Sequence, residues 1–327
     1  GNETIRKWLA AAEISMQDMY QGRKPKPPQD VRLTQKDMPK WARGVVWDCT
    51  NPKDCKPVKR SGKGDMPPGR RISAENMRRG AEEIGWTDTD ILDQLDTGLE
   101  ARSGCALDTV LAFHHKGLIQ SFEPAKKIIE RDIEQGWVAK ATPRLPYVPC
   151  RLTPRNVVKQ TKWKITTKPD GTPEIDAEGN LVVEENPKYR VSTDSSWGPL
   201  GGDAPNDGCL RGDVVTGLPT VRALGESVSI IGEAGTMMEP EAYAIDFKDA
   251  YRHAVVQRED WWEQCFIWLG GVCVERRGVF GARWMPNRFQ RIARLALAIA
   301  IHECKIFDRN QPFLEGWLSE EWKKRPT

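Results

Sequence analysis

The strongest constraint on the fold is a change of hydrophobic period at Gly136. Ahead of it, Glu123-Pro124 opens a run in which Ile128, Ile129 and Ile133 recur at helical spacing, with Gly136 as the stop. Behind it come short β-prone runs, Val157-Val158, Trp163 to Thr167 and Leu181-Val182-Val183, parted by turn chemistry at Pro169-Asp170-Gly171 and Glu178-Gly179-Asn180. Lys188-Tyr189-Arg190-Val191-Ser192 alternates, so Lys188 and Arg190 share one face and Tyr189 and Val191 the other. Helices followed by strands predict an α+β fold.

Other elements follow from the same signals. Ser73 is placed to cap a helix from Ala74 to about Ile84, ended by Gly85, and Thr87 or Thr89 starts a short helix with Ile91, Leu92 and Leu95. Pro199 to Gly217 reads as a loop, and Val221, Leu224, Val228 and Ile231 predict a helix from Pro219 through Ile231. Ala242 to Phe247 reads as a strand, and Cys265 to Trp268 with Val272 to Val274 as a hairpin across Gly270-Gly271. A long helix opened by Pro286 runs to about Cys304.

Composition narrows the function classes. With 13 Trp, 8 Phe and 5 Tyr in 327 residues, the chain must bury a core. The longest aliphatic run, Leu295 to Ile301, is far short of the about 20 residues a spanning helix needs. Eight cysteines without a CxxC pair suggest reduced thiols in an intracellular protein, with nucleus and cytoplasm undistinguished. Residues 1–80 carry 18 Lys and Arg against 9 Asp and Glu, whereas residues 81–327 carry 31 against 37. The basic front, interleaved with Pro and Gly around Arg23 to Pro28 and Lys53 to Lys63, predicts an extended, partly disordered arm that attracts phosphate. A start without Met and an end at Lys323-Lys324-Arg325-Pro326-Thr327 suggest a piece of a longer chain.

Three segments carry chemistry. One is Ala244-Ile245-Asp246-Phe247-Lys248-Asp249-Ala250-Tyr251, and another is Gly278-Val279-Phe280-Gly281 leading to Pro286, Phe289 and Gln290. The third pairs Pro154-Arg155-Asn156-Val157-Val158-Lys159 with Lys188 to Asp194. In this order, over about residues 118–305, they resemble the fingers and palm of retroelement reverse transcriptases, which are RNA-directed DNA polymerases.

The resemblance implies a right-hand polymerase architecture, with an antiparallel palm sheet backed by helices on one face. It divides the chain into a basic arm (1–72), a helical segment (73–136), a fingers-like β region (137–215) and a partial palm (216–327). It makes Asp246 the catalytic carboxylate and a ligand for Mg²⁺, two ions of which run nucleotidyl transfer in the full-length enzyme. Asp249 belongs to the turn beside the incoming triphosphate, and Tyr251 lies under the sugar, which implies a deoxynucleotide preference. Lys159 and Arg190 grip the triphosphate, as preplaced cations stabilise charge on phosphate oxygens. Phe280 and Gly281 complete the nucleotide site, and Pro205-Asn206-Asp207-Gly208 resembles a short segment after the fingers strand. The implied partners are a dNTP and an RNA or DNA template-primer, with no membrane.

Two departures matter. Arg283-Trp284-Met285 stands where the family has small residues, and this bulk is expected to narrow the nucleotide pocket. No Asp-Asp dipeptide occurs, so the Y-x-D-D hairpin of the family is missing and this chain alone is expected to polymerise nothing. The alternative is a non-catalytic nucleic-acid-binding protein, or a decayed retroelement remnant, on a palm-like scaffold. An unrelated enzyme would need its own site, and neither a G-x-S-x-G elbow, a phosphate loop nor an H-E-x-x-H pair is present.

Overall fold

A computed structural model describes residues 2–62, 66–67, 71–101, 103–201, 203–209 and 247–310. In chain order the elements are α1 (Asn2–Tyr20), β1 (Val31–Leu33), β2 (Trp47–Asp48), β3 (Lys56–Pro57), α2 (Ala74–Glu83), α3 (Thr89–Thr97), β4 (Thr109–Leu111), α4 (Lys116–Gln120) and α5 (Phe122–Glu134). There follow β5 (Val138–Thr142), β6 (Tyr147–Val148), β7 (Arg151–Leu152), β8 (Arg155–Gln160), β9 (Trp163–Ile165), β10 (Val183–Glu185), β11 (Lys188–Thr193), β12 (Cys265–Trp268), β13 (Gly271–Glu275) and α6 (Met285–Asn310). The fold is mixed α+β, as the sequence implied.

A six-stranded sheet in the order β1-β4-β7-β12-β13-β5 forms the centre. The palm sheet was expected to be antiparallel. This sheet is mixed, because β4, β7 and β12 run parallel while β1, β13 and β5 pair antiparallel with their neighbours. Nor do its strands respect the expected boundaries after residues 72, 136 and 215. β12 and β13, fully buried, need neighbours on both sides, and β7 from the 137–215 region and β4 from the helical segment supply one flank. Separately, β2 pairs with β3 and β6, β8 with β11, and β9 with β10.

The front of the chain also differs from the expected arm. Trp8, Ala12, Met16 and Met19 fall at spacings of four and three, and all are buried in the main core, so α1 is a packed amphipathic helix. The Pro-rich basic stretch after it is extended, as its composition predicts. It is pinned back on α1, where Ser15 Oγ donates to the Lys26 carbonyl at 2.6 Å and Trp8 Nε1 donates to that of Gln29 at 2.8 Å.

Helix α2 begins as read, with Ser73 Oγ accepting from the Asn76 amide at 3.2 Å. Arg291 of α6 grips Asp88 and Asp90 at the head of α3, at 2.5 and 2.8 Å, and its guanidinium lowers the Asp88 pKa. In the β12–β13 hairpin Trp268 opposes Gly271, so the turn is Leu269-Gly270, one residue earlier than read. Gly271 has φ +123°, and a Cβ there would overlap the Thr142 carbonyl. The helix read over Pro219 to Ile231, and the strand read from Ala242 except for Phe247, lie outside the described residues. No helix among the described residues is long and apolar enough to cross a membrane. The eight cysteines are all free thiols.

Candidate nucleotide-binding cleft

A cleft of about 590 Å³ opens where β11, α5, the turn at residues 247–252 and the loop at Phe280 meet. The alternation read in the sequence shapes its β11 wall. Lys188 and Arg190 are exposed, while Tyr189 is half-buried and Val191 buried. From α5 come Ile128, Arg131 and Asp132, and from the turn Phe247 through Arg252.

The turn is held by its own backbone. Asp249 takes φ 53°, in the left-handed region, and ends the approach to a short 3-10 helix at Ala250–His253, with the Arg252 amide donating to the Asp249 carbonyl at 2.8 Å. Tyr251 sits among aromatic rings, 4.9 Å from Phe280 and 5.5 Å from Phe289 between centroids, and burial raises its phenol pKa. The Arg190 guanidinium lies 5.8 Å over the Phe280 ring.

Phe280 is fixed by the end of β11, since the Thr193 amide donates to its carbonyl at 2.8 Å. Gly281 is not a lining residue. Its φ of +108° and the close approach of the Thr193 carbonyl require glycine, and this lets the loop lie against β11. Asn206, 4% exposed, completes the attachment. Its Nδ2 donates to the Gly281 carbonyl at 2.9 Å, and its Oδ1 accepts from the Arg283 amide at 2.8 Å. The expected narrowing by Trp284 and Met285 is not seen, because both are buried in the core and neither lines the cleft.

Behind the cleft lies an ion network with no signal in the sequence. Asp132, on α5, takes Arg252 at 2.5 Å and Arg131 at 2.9 Å. Arg252 also reaches Glu275 of β13 at 2.8 Å, and Glu275 holds Arg155 of β8 at 3.2 Å. Both carboxylates are essentially inaccessible. Desolvation raises the Asp132 pKa and lowers that of Arg155, whereas Arg252, equally desolvated, is raised by its two carboxylate partners. The network ties helix, hairpin, sheet and turn together behind the lining.

Of the residues read from the sequence, the structure gathers Arg190, Asp249, Tyr251 and Phe280 at one cleft, with Gly281 packed just behind. Lys159 is not brought there. It opposes Tyr189 in the β8–β11 register while Arg190 opposes Val158, so the two cations occupy opposite faces of the hairpin. The Lys159 ammonium instead pairs with Glu185 at 2.8 Å, and that carboxylate raises its pKa. Asp246 lies outside the described residues. The lining cations that sequence reasoning did not assign to the site are Arg131, Lys188, Lys248 and Arg252; of these Lys188 had a signal, sharing the Arg190 face.

A two-metal donor set is not assembled among the described residues, where no group of three His, Cys, Asp or Glu side chains converges. Asp132 is taken up by two arginines, and Asp249 lies 3.7 Å from Arg131. The accessible groups suit an anion joined to a flat apolar body, with Lys188, Arg190, Lys248 and Arg131 for charge and Phe247, Tyr251 and Phe280 for contact.

No family model matches the chain, and no curated protein matches it in sequence. Among solved structures it is similar to a foamy viral protease-reverse transcriptase in complex with double-stranded DNA, at 12% identity and a TM-score of 0.26 over 73% of this chain. The match takes in 36% of that chain, so this protein spans about a third of its length, and a score this low does not fix the fold.

Proposed function

We propose that this chain is part of an RNA-directed DNA polymerase of the reverse transcriptase type, and that the cleft receives a deoxynucleoside triphosphate. The observation that carries the reading is the convergence of three motifs far apart in sequence, at residues 188–191, 247–252 and 280, on one cation- and aromatic-lined cleft. In this reading β8–β11 is the fingers hairpin, and the sheet with β12 and β13 is the palm.

Arg190 and Lys188 take the phosphate oxygens by charge-assisted hydrogen bonds. Tyr251, braced by Phe280 and Phe289, sets the floor under the sugar, where a 2′-hydroxyl would meet the ring. Arg131 holds Asp249 and orients the turn. Asp246 as a Mg²⁺ ligand of the longer enzyme is proposed from its sequence context alone. Template-primer is the proposed macromolecular partner.

Titration with a fluorescent dATP analogue tests the reading. The chain is expected to bind it more tightly than the ATP analogue, Arg190→Ala to weaken binding about tenfold or more, and Tyr251→Ala to erase the sugar preference. Primer extension by this chain alone is expected to be absent. Equal binding of both nucleotides, unchanged by either substitution, would refute the reading. DNA binding that is indifferent to Arg190→Ala would then favour the non-catalytic alternative.

A further inference from the structure

We propose that Cys49 and Cys55 are a redox-active pair, which a low-molecular-weight disulfide closes into a cross-strand bond at the end of the β2–β3 hairpin. The register carries the two residues to opposite positions. Trp47 opposes Pro57 and Asp48 opposes Lys56, so the next step of the ladder sets Cys49 against Cys55.

The backbone hydrogen bonds decide what kind of pair this is. Opposed residues of an antiparallel ladder alternate between hydrogen-bonded and non-hydrogen-bonded pairs, and the second kind brings the side chains closer, with Cα atoms about 4.5 Å apart. The Val58 amide donates to the Val46 carbonyl at 2.8 Å, which makes Val46 and Val58 a hydrogen-bonded pair. One step on, Trp47 and Pro57 are then a non-hydrogen-bonded pair, as a proline without an amide proton requires. Asp48 and Lys56 are hydrogen-bonded in turn, and Cys49 and Cys55 are not. The other edge of β2 agrees, since the Cys49 amide donates to the Pro146 carbonyl beside β6 at 2.8 Å and so points away from Cys55. A disulfide joins residues whose Cα atoms are about 4.4–6.8 Å apart, so this pair closes without moving the strands. The two thiols are already in contact, and burial together with the hydrogen bond to Cys55 pushes the Cys49 thiol up to about 12.

Access sets this pair apart from another. Cys150 and Cys265 also touch, but both are fully buried, whereas Cys55 is exposed and Cys49 half-buried. A dissolved oxidant therefore reaches Cys55 and is kept from the buried pair. The loop between Cys49 and Cys55 is shaped without the thiols, because Asp48 Oδ1 accepts from the Thr50 amide and hydroxyl at 3.0 and 2.6 Å and the Asp54 amide donates to the Asn51 carbonyl at 3.0 Å. Both redox states can keep the same turn.

The chemistry is thiol–disulfide exchange. Cys55, as thiolate, attacks one sulfur of the small disulfide and releases one small thiolate, leaving a mixed disulfide. Cys49 gives up its proton to solvent and attacks the Cys55 sulfur, forming the Cys49–Cys55 bond and releasing the second small thiolate. Two protein thiols are oxidised, one external disulfide is reduced to two thiols, and reduced small thiol in excess runs the sequence backwards.

Peptide mapping of the folded full chain tests this. The reduced chain is exposed to oxidised glutathione, its remaining thiols are blocked with N-ethylmaleimide, and it is digested with trypsin, which cleaves after Lys53 and so separates the two cysteines. The expected product is peptide 44–53 joined to peptide 54–59 by a bond that dithiothreitol splits. In Cys49→Ser, Cys55 is expected to keep its glutathione, because the resolving thiol is gone. Cys150 and Cys265 are expected to stay unmodified until the chain is denatured. Cys49 and Cys55 both carrying maleimide after the oxidant, a glutathione adduct that persists on Cys55 with Cys49 intact, or Cys55 joined to any other cysteine overturns the proposal.

Discussion

Replacing Glu275 by Gln removes one charge from the buried network and makes its energetic weight measurable. Glu275 is fully buried and sits 3.2 Å from Arg155 and 2.8 Å from Arg252, while its Oε1 accepts from the Arg277 amide at 3.3 Å. In the variant Arg252 keeps Asp132 at 2.5 Å, whereas Arg155 loses its only ion-pair partner among the described residues. The Arg155 side chain is 3% exposed and stacked 4.2 Å over Phe266, so water cannot replace that partner. Stranding one member of a buried pair costs about 3–5 kcal/mol. The exposed Lys159–Glu185 pair is the internal control, for which Lys159→Ala is expected to cost less than about 1 kcal/mol.

Urea unfolding followed by tryptophan fluorescence reads both values. Adding Arg155→Met to Glu275→Gln is expected to recover about 1 kcal/mol or more, because the stranded charge is gone and an apolar stem remains against Phe266. A single-variant loss below about 1 kcal/mol, or purely additive losses in the double variant, would refute the argument that Glu275 compensates a buried cation.

Stability is also expected to fall with rising pH between about pH 4.5 and 7. Burial pushes Glu263 up to about 7, helped by nearby Asp260, which burial itself lifts to about 6. The folded state then binds protons that the unfolded state releases, so stabilisation present below pH 4 is lost as these carboxyls ionise. Glu263→Gln should flatten the slope of unfolding free energy against pH across that window, and an unchanged slope would show that other groups set it. At the cleft, Gly281→Ala is expected to weaken binding of the dATP analogue severalfold. Its Cβ would push the loop carrying Phe280 off the Thr193 carbonyl. Unchanged affinity would mean that the loop does not shape the site.

What the sequence determined by itself was local. Ser73 caps α2 because a hydroxyl beside the first turn meets an unpaired amide whatever the rest of the chain does. The two faces of β11 follow from the period of an extended backbone, which put Lys188 and Arg190 together and Tyr189 and Val191 opposite. The β12–β13 hairpin was legible from its glycines, to within one residue of its turn.

Tertiary structure decided what depends on segments distant in the chain. Whether the amphipathic stretch after the N-terminus packs or floats depends on which apolar surface is left uncovered, and the core takes Trp8, Ala12 and Met16. That Lys159 and Arg190 part company depends on the cross-strand register, a choice between pairings that a single residue's slip would reverse. The network of Asp132, Arg252, Glu275 and Arg155 joins residues up to 143 positions apart in the chain, two of its contacts spanning 120 positions. No local pattern marks such charges, because a buried arginine and a solvated one read alike until packing removes the water.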